Sequence, residues 1–299
     1  MMFFTLADVV LLSKRARNTP RAISEELRGW KWSDPPVLPP SRGLLTVSEL
    51  TGGLCPTLRP IYLKLKRVKP APSPSASRGS LMHYAYSSSL ASVKRLLYQG
   101  VTKLRTAMQD EFYAVLRRVE EQFGDVEDRG EVVKALWDHA AEVYSSEVDR
   151  ALGKSPHLSG DSLASYVVPL EAEFPLDGSL VGLGLVRADA LIPHVPAIVE
   201  LKTGYPREEH YASLAGYALA YESVFEQPMD FGVLCYVQVG GGNLRYDCRF
   251  QVISDSLRQA FLESRDRGLE IADKEVDPGL PQQCPRECPY LYHCGGRVG

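Results

Sequence analysis

The chain has 299 residues, of which 44% are hydrophobic and 24% are charged, so it is long enough to bury a full globular core. Its net charge of −3 excludes a protein that attracts nucleic acid through its overall field. No apolar run reaches the ~18 residues of a transmembrane helix, and the charges around residues 1–12 do not fit a secretory signal. We therefore expect a cytoplasmic protein with no membrane contact.

The first half of the chain has the pattern of helices. Residues 1–45 predict a helical extension interrupted by prolines, and a Pro/Ser linker at 70–75 predicts a surface loop. Apolar residues then recur at helical spacing over three ranges, 79–98, 101–123 and 131–152.

The second half of the chain changes to the pattern of strands. Successive ranges predict three strands, an amphipathic helix, a hairpin across a Gly-Gly-Gly-Asn turn and a last helix: 167–174, 180–191, 197–203, 208–225, 231–239 with 244–253, and 256–272. This order indicates an α/β fold with a mixed central sheet flanked by helices.

A carboxylate motif lies on two of these strands. Residues two apart on a strand face the same side, so Glu200 and Lys202 project together while Leu201 points into the core. A short turn brings Asp189 alongside from the preceding strand. Two carboxylates suit Mg²⁺ or Mn²⁺, and the lysine could stabilise charge on a phosphate. A salt-bridged strand pair is the alternative.

Two further features bear on nucleic acid and metal. No Asp or Glu occurs between Leu50 and Gln109, and this segment contains four residues that we expect to contact DNA: Arg59, Lys64, Lys66 and Arg67. The alternative is a solvated helical face.

In a reducing compartment, clustered cysteines indicate a metal centre, either zinc or iron–sulfur, and the set here is Cys55, Cys284, Cys288 and Cys294. Cys235 and Cys248 face each other across the predicted hairpin, and we expect them to be small buried apolar residues.

The motifs resemble a known family. Arg187-Ala188-Asp189-Ala190 followed by Ile198-Val199-Glu200-Leu201-Lys202-Thr203-Gly204 is similar to the PD-(D/E)xK nuclease core of the RecB type. The leader around Cys55-Pro56 and the tail Cys284…Cys288-Pro289-Tyr290…Cys294 resemble its iron–sulfur subgroup. The likeness is greatest to the CRISPR-associated Cas-four exonucleases, especially the archaeal Csa-one branch, over roughly residues 46–296.

The resemblance implies roles for individual residues. It implies catalysis by Asp189, Glu200 and Lys202, with Mn²⁺ or Mg²⁺ held by the two carboxylates, His83 and the backbone carbonyl of Leu201. It also implies a cluster, most readily 4Fe–4S, on the four cysteines. The family pattern Gln-x-x-x-Tyr becomes Ser213-x-x-x-Tyr217 here, which places both residues near the substrate, and Cys-x₃-Cys replaces Cys-x₂-Cys in the tail.

The hypothesis is therefore a restriction-endonuclease-like nuclease domain over residues 46–299, preceded by the helical extension 1–45. It would be a metal-dependent exonuclease on single-stranded DNA or overhangs that processes prespacers with the CRISPR integrase and other adaptation proteins. Three alternatives stay open: an inert iron–sulfur DNA-binding subunit, a nuclease linked to a separate helicase, and a zinc-bound scaffold. Glu173 is read as an ordinary strand residue or a supporting carboxylate, and His194 and His210 as structural or substrate-proximal residues.

Overall fold

The computed structural model describes residues 2–52, 55–284 and 286–295. Its α-helices, numbered in chain order, are α1 Leu6–Asn18, α2 Val47–Thr51, α3 Arg59–Leu65, α4 Pro74–Tyr98, α5 Leu104–Gln122, α6 Arg129–Lys154, α7 Gly160–Val167, α8 Glu209–Phe225, α9 Asp255–Lys274 and α10 Leu291–Cys294. Its strands are β1 Glu171–Asp177, β2 Leu185–Ile192, β3 Ala197–Lys202, β4 Phe231–Gly240 and β5 Asn243–Val252. Short 3₁₀ turns lie at Glu25–Leu27, Gly29–Lys31 and Ser179–Val181.

The strands form one mixed sheet in the order β1-β2-β3-β4-β5. Only β3 and β4 are parallel, and α8 makes the crossover between them; the other neighbours are antiparallel. Gly241 and Gly242, both at positive φ, form the two-residue turn between β4 and β5, as a tight hairpin requires. The predicted mixed sheet flanked by helices is confirmed.

Helices cover both faces of the sheet. One core packs α1, α4, α5, α6 and α7 against one face, and it includes the buried N-terminal residues Met2, Phe3 and Phe4. The other core packs α8 and α9 with residues from the 27–61 segment. Residues 2–45 therefore contribute to both cores, and the proposed division of the chain at residue 45 stays a prediction.

Several predicted elements differ from the structure. The predicted strand 167–174 is wrong at its start, because α7 runs to Val167 and the strand begins at Glu171. The expected linker is shorter, since Ser73 caps α4 and the helix begins at Pro74. α8 is buried on nearly all sides rather than amphipathic, because it lies between the sheet, α9 and the N-terminal segment. Among the described residues, none of the helices has the length and apolar character needed to cross a bilayer.

Candidate active site and cysteine cluster

Asp189 lies where β2 and β3 separate. The ladder between these strands pairs residues 190–192 with 197–199 and then ends. Beyond it, the backbone N–H of Leu201 donates to Asp189 Oδ2 at 2.6 Å. The carboxylate thus takes the place of a missing backbone acceptor, which fixes Asp189 beside the end of β3.

His83 reaches this carboxylate from α4. Its Nδ1 lies 2.7 Å from Asp189 Oδ1. Gly79, one helical turn earlier, lets α4 approach the end of β3, since a Cβ there would lie 2.9 Å from Thr203 Oγ1. Burial works to lower the pKa of His83, but the Asp189 carboxylate outweighs it and raises that pKa to about 8.

Glu200 and Lys202 form the second pair of the site. Lys202 Nζ donates to Glu200 Oε1 at 2.7 Å, as expected for residues two apart on one strand. Burial raises the pKa of Glu200 to about 7, although the neighbouring ammonium opposes this. Burial alone would lower the pKa of Lys202, but the nearby carboxylates raise it instead, so the lysine is charged at neutral pH.

Two more side chains belong to the same site. Burial, followed by the Glu200 and Asp189 carboxylates, raises the pKa of Tyr217 on α8 well above its usual value. Glu173 on β1 lies opposite Asp189, between the pairs Ala172–Ala190 and Phe174–Ala188. Its φ of 52° interrupts the strand, and burial followed by the Asp189 charge raises its pKa. Glu173 therefore lies near Asp189, and its role as a supporting carboxylate stays a prediction.

The four cysteines of the predicted cluster are free thiols in the structure. Cys284 and Cys288 are buried, and Cys55 and Cys294 are partly exposed. Burial raises the pKa of both Cys284 and Cys288, and the other cysteines of the set raise it further. Such mutual effects require neighbouring sulfur atoms, so the fold gathers residues from both ends of the chain.

Both donor sets have the chemistry that the predicted groups need. Glu200 Oε2 is buried and has no hydrogen-bond partner in the described structure, a cost that a bound cation would remove. Two carboxylates and one imidazole suit Mn²⁺ or Mg²⁺, and four sulfur ligands suit zinc or an iron–sulfur cluster. As the described side chains stand, however, no three His, Cys, Asp or Glu are arranged to hold a metal ion.

Comparison with known proteins decides the family. A family model described as "CRISPR-associated exonuclease Csa1" matches residues 2–297. The chain belongs to the Csa1 family. A protein of that name from Saccharolobus solfataricus is 46% identical over 298 residues, which cover 98% of this chain and 99% of the relative. A Thermoproteus tenax protein of the same name is 32% identical over 293 residues, covering 97% and 99% of the two chains.

A solved structure is much less similar to this chain than these two relatives are. The crystal structure titled "Crystal structure of SSO0001" covers 61% of this chain and 81% of its own, with 15% identity and a TM-score of 0.27. That likeness carries no argument about the fold. The Csa1 family model itself includes residues 2–45, which the sequence resemblance had left outside.

The predicted DNA-contacting residues of this Csa1-family chain are largely paired with acids from elsewhere in the fold. Arg59 donates to both carboxylate oxygens of Asp277 at 2.8 and 2.7 Å. Lys64 Nζ lies 2.5 Å from Glu49, and Lys66 Nζ lies 2.7 Å from Glu275. Arg67 is exposed and has a positive φ of 58°. Three of the four residues therefore have acidic partners from other parts of the fold, and their contact with DNA stays a prediction.

The remaining candidates make no hydrogen bond to Asp189 or Glu200 among the described contacts. Ser213 is fully buried, and its hydroxyl donates to the carbonyl of His210 within α8 at 2.7 Å. His194 is exposed in the turn between β2 and β3. His210 is buried, with its Nδ1 3.2 Å from the Tyr236 hydroxyl.

The hairpin cysteines do face each other, but one expectation about them is wrong. Cys235 and Cys248 form a disulfide between β4 and β5, with their Cα atoms 4.0 Å apart. Direct pairing across an antiparallel ladder brings the two side chains within bonding reach. They are therefore a covalent crosslink in this structure rather than two separate apolar side chains.

Sequence reasoning also missed residues beside Lys202. Tyr236 is the register partner of Lys202 on β4, and Arg249 lies over the Tyr236 ring on the neighbouring strand. The apolar pattern identified both hairpin strands but did not fix their register against β3. Only that register places these two residues next to the motif.

Proposed function

We propose that this protein is a metal-dependent DNA exonuclease that acts on single strands or overhangs and trims spacer precursors in CRISPR adaptation. The name shared by its relatives, CRISPR-associated exonuclease, supports the class of reaction. The observation that carries the proposal is the pairing of Lys202 with Glu200 beside Asp189 and His83. The integrase and the other adaptation proteins would be its partners.

The site residues divide the work of hydrolysis. Asp189, Glu200, His83 and the Leu201 carbonyl would hold Mn²⁺ or Mg²⁺, which when bound polarises a phosphodiester and acidifies water. Lys202 is protonated, because the surrounding carboxylates raise its pKa. It therefore cannot accept a proton from the attacking water. It can donate a hydrogen bond to that water or to the phosphate oxygen on which charge develops.

We also propose that Cys55, Cys284, Cys288 and Cys294 hold an iron–sulfur cluster, most readily 4Fe–4S. The support is chemical: thiols this close oppose each other's ionisation, and binding to iron would relieve that repulsion. A zinc ion on the same residues is the competing assignment.

The nuclease is tested with end-labelled single-stranded DNA and Mn²⁺ under anaerobic conditions. Lys202→Ala should reduce the cleavage rate by about 10²–10³-fold, the usual effect of losing one electrostatic donor. The variant should stay folded, because Glu200, whose pKa is already raised to about 7, can take up a proton when its partner is removed. The control is Lys134→Ala, which removes an exposed lysine of α6 that pairs with Asp138.

Two results would contradict the proposal. One is equal cleavage by the wild-type protein and Lys202→Ala, which would indicate a contaminating nuclease or another site. The other is no cleavage by wild-type protein that still binds the DNA, which would favour the inert DNA-binding subunit.

A further inference from the structure

A group of aromatic and basic side chains continues outward from Lys202. The parallel pairing of β3 and β4 places Tyr236 directly beside Lys202. The Tyr236 hydroxyl accepts from the backbone N–H of Arg207 at 3.3 Å, and His210 Nδ1 lies 3.2 Å from the same oxygen. Tyr236 thus joins the active-site strand to the loop between β3 and α8.

Arg249 extends this group onto the edge strand. Its guanidinium carbon lies 5.7 Å from the centre of the Tyr236 ring, and its Nη1 donates to the Tyr211 hydroxyl at 3.3 Å. Asp247 accepts from Arg249 Nε at 2.9 Å, yet 47% of the Arg249 side chain remains exposed. The guanidinium is oriented by its neighbours but is still accessible to a ligand.

Tyr205 provides an open aromatic face near the same loop. It is 81% exposed, two residues before Arg207 and three after Lys202. An exposed ring of this size has no packing role in the fold. Next to an arginine and close to a nuclease motif, it has the properties of a surface on which a base can stack.

Two cations of this surface have acidic partners. Glu200 accepts from Lys202 Nζ at 2.7 Å, and Asp247 pairs with Arg249 at 2.9 Å. Because about half of the Arg249 side chain stays exposed, its guanidinium can still contact a phosphate of the substrate strand.

We propose that Tyr205, Arg207, Tyr211, Tyr236 and Arg249 form a surface, here called the strand-binding surface, that holds the single-stranded end of the DNA substrate and directs it to Lys202. This inference rests on the proposed nuclease function and deepens it by placing the substrate strand. Basic side chains between aromatic rings match an unpaired strand, whose bases expose their faces and whose phosphates are close to them. A blunt duplex hides those faces.

The test measures binding and cleavage separately. Binding of a fluorescent oligothymidylate is followed by anisotropy without added divalent cation, at several salt concentrations. Arg249→Gln should weaken binding about fivefold at ~0.1 M salt and lower the salt slope by about 0.7, the value for one phosphate contact on a single strand. Arg249→Lys should retain the slope. Tyr205→Ala should weaken binding about tenfold with an unchanged slope, because stacking carries no charge, and Tyr205→Phe should retain affinity.

Arg117→Ala is the matched control, since Arg117 is exposed on α5, a helix of the opposite core. The inference is overturned if Arg249→Gln and Tyr205→Ala bind the oligonucleotide as the wild-type protein does. It is also overturned if blunt duplex binds as tightly as the single strand and with the same dependence on Tyr205. Cleavage by wild-type protein that depends on Lys202 but not on these residues would refute the strand-binding surface and leave the nuclease intact. Absence of both binding and cleavage in the wild-type protein would refute both proposals.

Discussion

Removal of the Glu222 carboxylate should destabilise the whole fold. Glu222 is completely buried in α8 and accepts hydrogen bonds from two arginines. Arg258 donates to its two oxygens at 2.7 and 2.8 Å, and Arg28 donates at 2.8 Å. The backbone N–H groups of Gly29 and Met229 donate to the same carboxylate at 2.8 and 3.0 Å. One side chain therefore joins the N-terminal segment, α8, α9 and the entry to β4.

The structure allows the size of the effect to be worked out. In Glu222→Ala, Arg28 keeps Asp230 as a partner at 2.6 Å, so most of its charge remains compensated. Among the described residues, Arg258 keeps only backbone carbonyls as acceptors, those of Leu27, Ile253 and Met229. Loss of one partner from a buried ion pair costs about 3–5 kcal/mol. For a chain of this length, with an unfolding entropy of about 2.1 cal/mol/K per residue, that corresponds to a fall in Tm of about 5–8 °C.

The assay is thermal unfolding followed by circular dichroism, with chemical denaturation as a second measure. Glu263→Ala is the control, because Glu263 is exposed on α9 and its loss should change the free energy of unfolding by less than about 0.5 kcal/mol. A Glu222→Ala protein as stable as this control would show that the buried network does not hold the N-terminal segment to the sheet.

Two further predictions concern metals. Mn²⁺ should bind more tightly at pH 8.5 than at pH 6, because it must displace protons from His83 and Glu200, whose pKa values are raised to about 8 and about 7. Isothermal titration calorimetry at the two pH values measures the affinities. Equal affinity at both would contradict the proposed ligand set. Cys288→Ser should lose iron and visible absorption while its circular dichroism is unchanged. The control is the double variant Cys235→Ser, Cys248→Ser, which should keep its iron. Equal iron content in these two variants, or zinc in the wild-type protein, would refute the cluster.

The sheet could be predicted where local signals agree with the fold. The apolar β3 and the two strands around the Gly-rich turn were found because burial, strand propensity and turn chemistry coincide there. α7 was missed because its buried residues Leu163, Ala164 and Val167 run directly into the apolar stretch before β1. Periodicity alone cannot separate a short buried helix from a strand.

Some contacts of the candidate site and its surroundings could be predicted from the sequence, and others could not. Spacing on one strand predicts the Glu200–Lys202 pair, and a short turn predicts that Asp189 lies near it. The contacts made by Glu222, Arg258 and Arg265 could not be predicted, since fully buried charges read as surface residues until their distant partners are known. For the same reason the pairing of Arg59 with Asp277 could not be predicted, because the two residues lie far apart in sequence.

The helix α9 explains why we expect the cysteine variants to stay folded. Arg265, fully buried on α9, donates to the backbone carbonyl of Val37 at 2.6 Å, and Ser264 donates to that of Leu50 at 2.8 Å. A Cβ at Gly268 would lie 2.7 Å from the Leu50 side chain, so the segment before Cys55 packs closely on the helix.

The residues that follow Cys55 in the sequence contact the segment after α9 directly. Thr57 Oγ1 donates to the carbonyl of Gly279 at 2.9 Å, and Lys66 pairs with Glu275. Farther along, the backbone N–H of Ala71 donates to the carbonyl of Pro289 at 2.8 Å. These contacts already close the loop between the two ends of the chain, so the entropy cost of closing it is not offset by a cluster alone. A cluster on the four cysteines would therefore order the tail locally, and its loss should leave the sheet and the paired carboxylates in place.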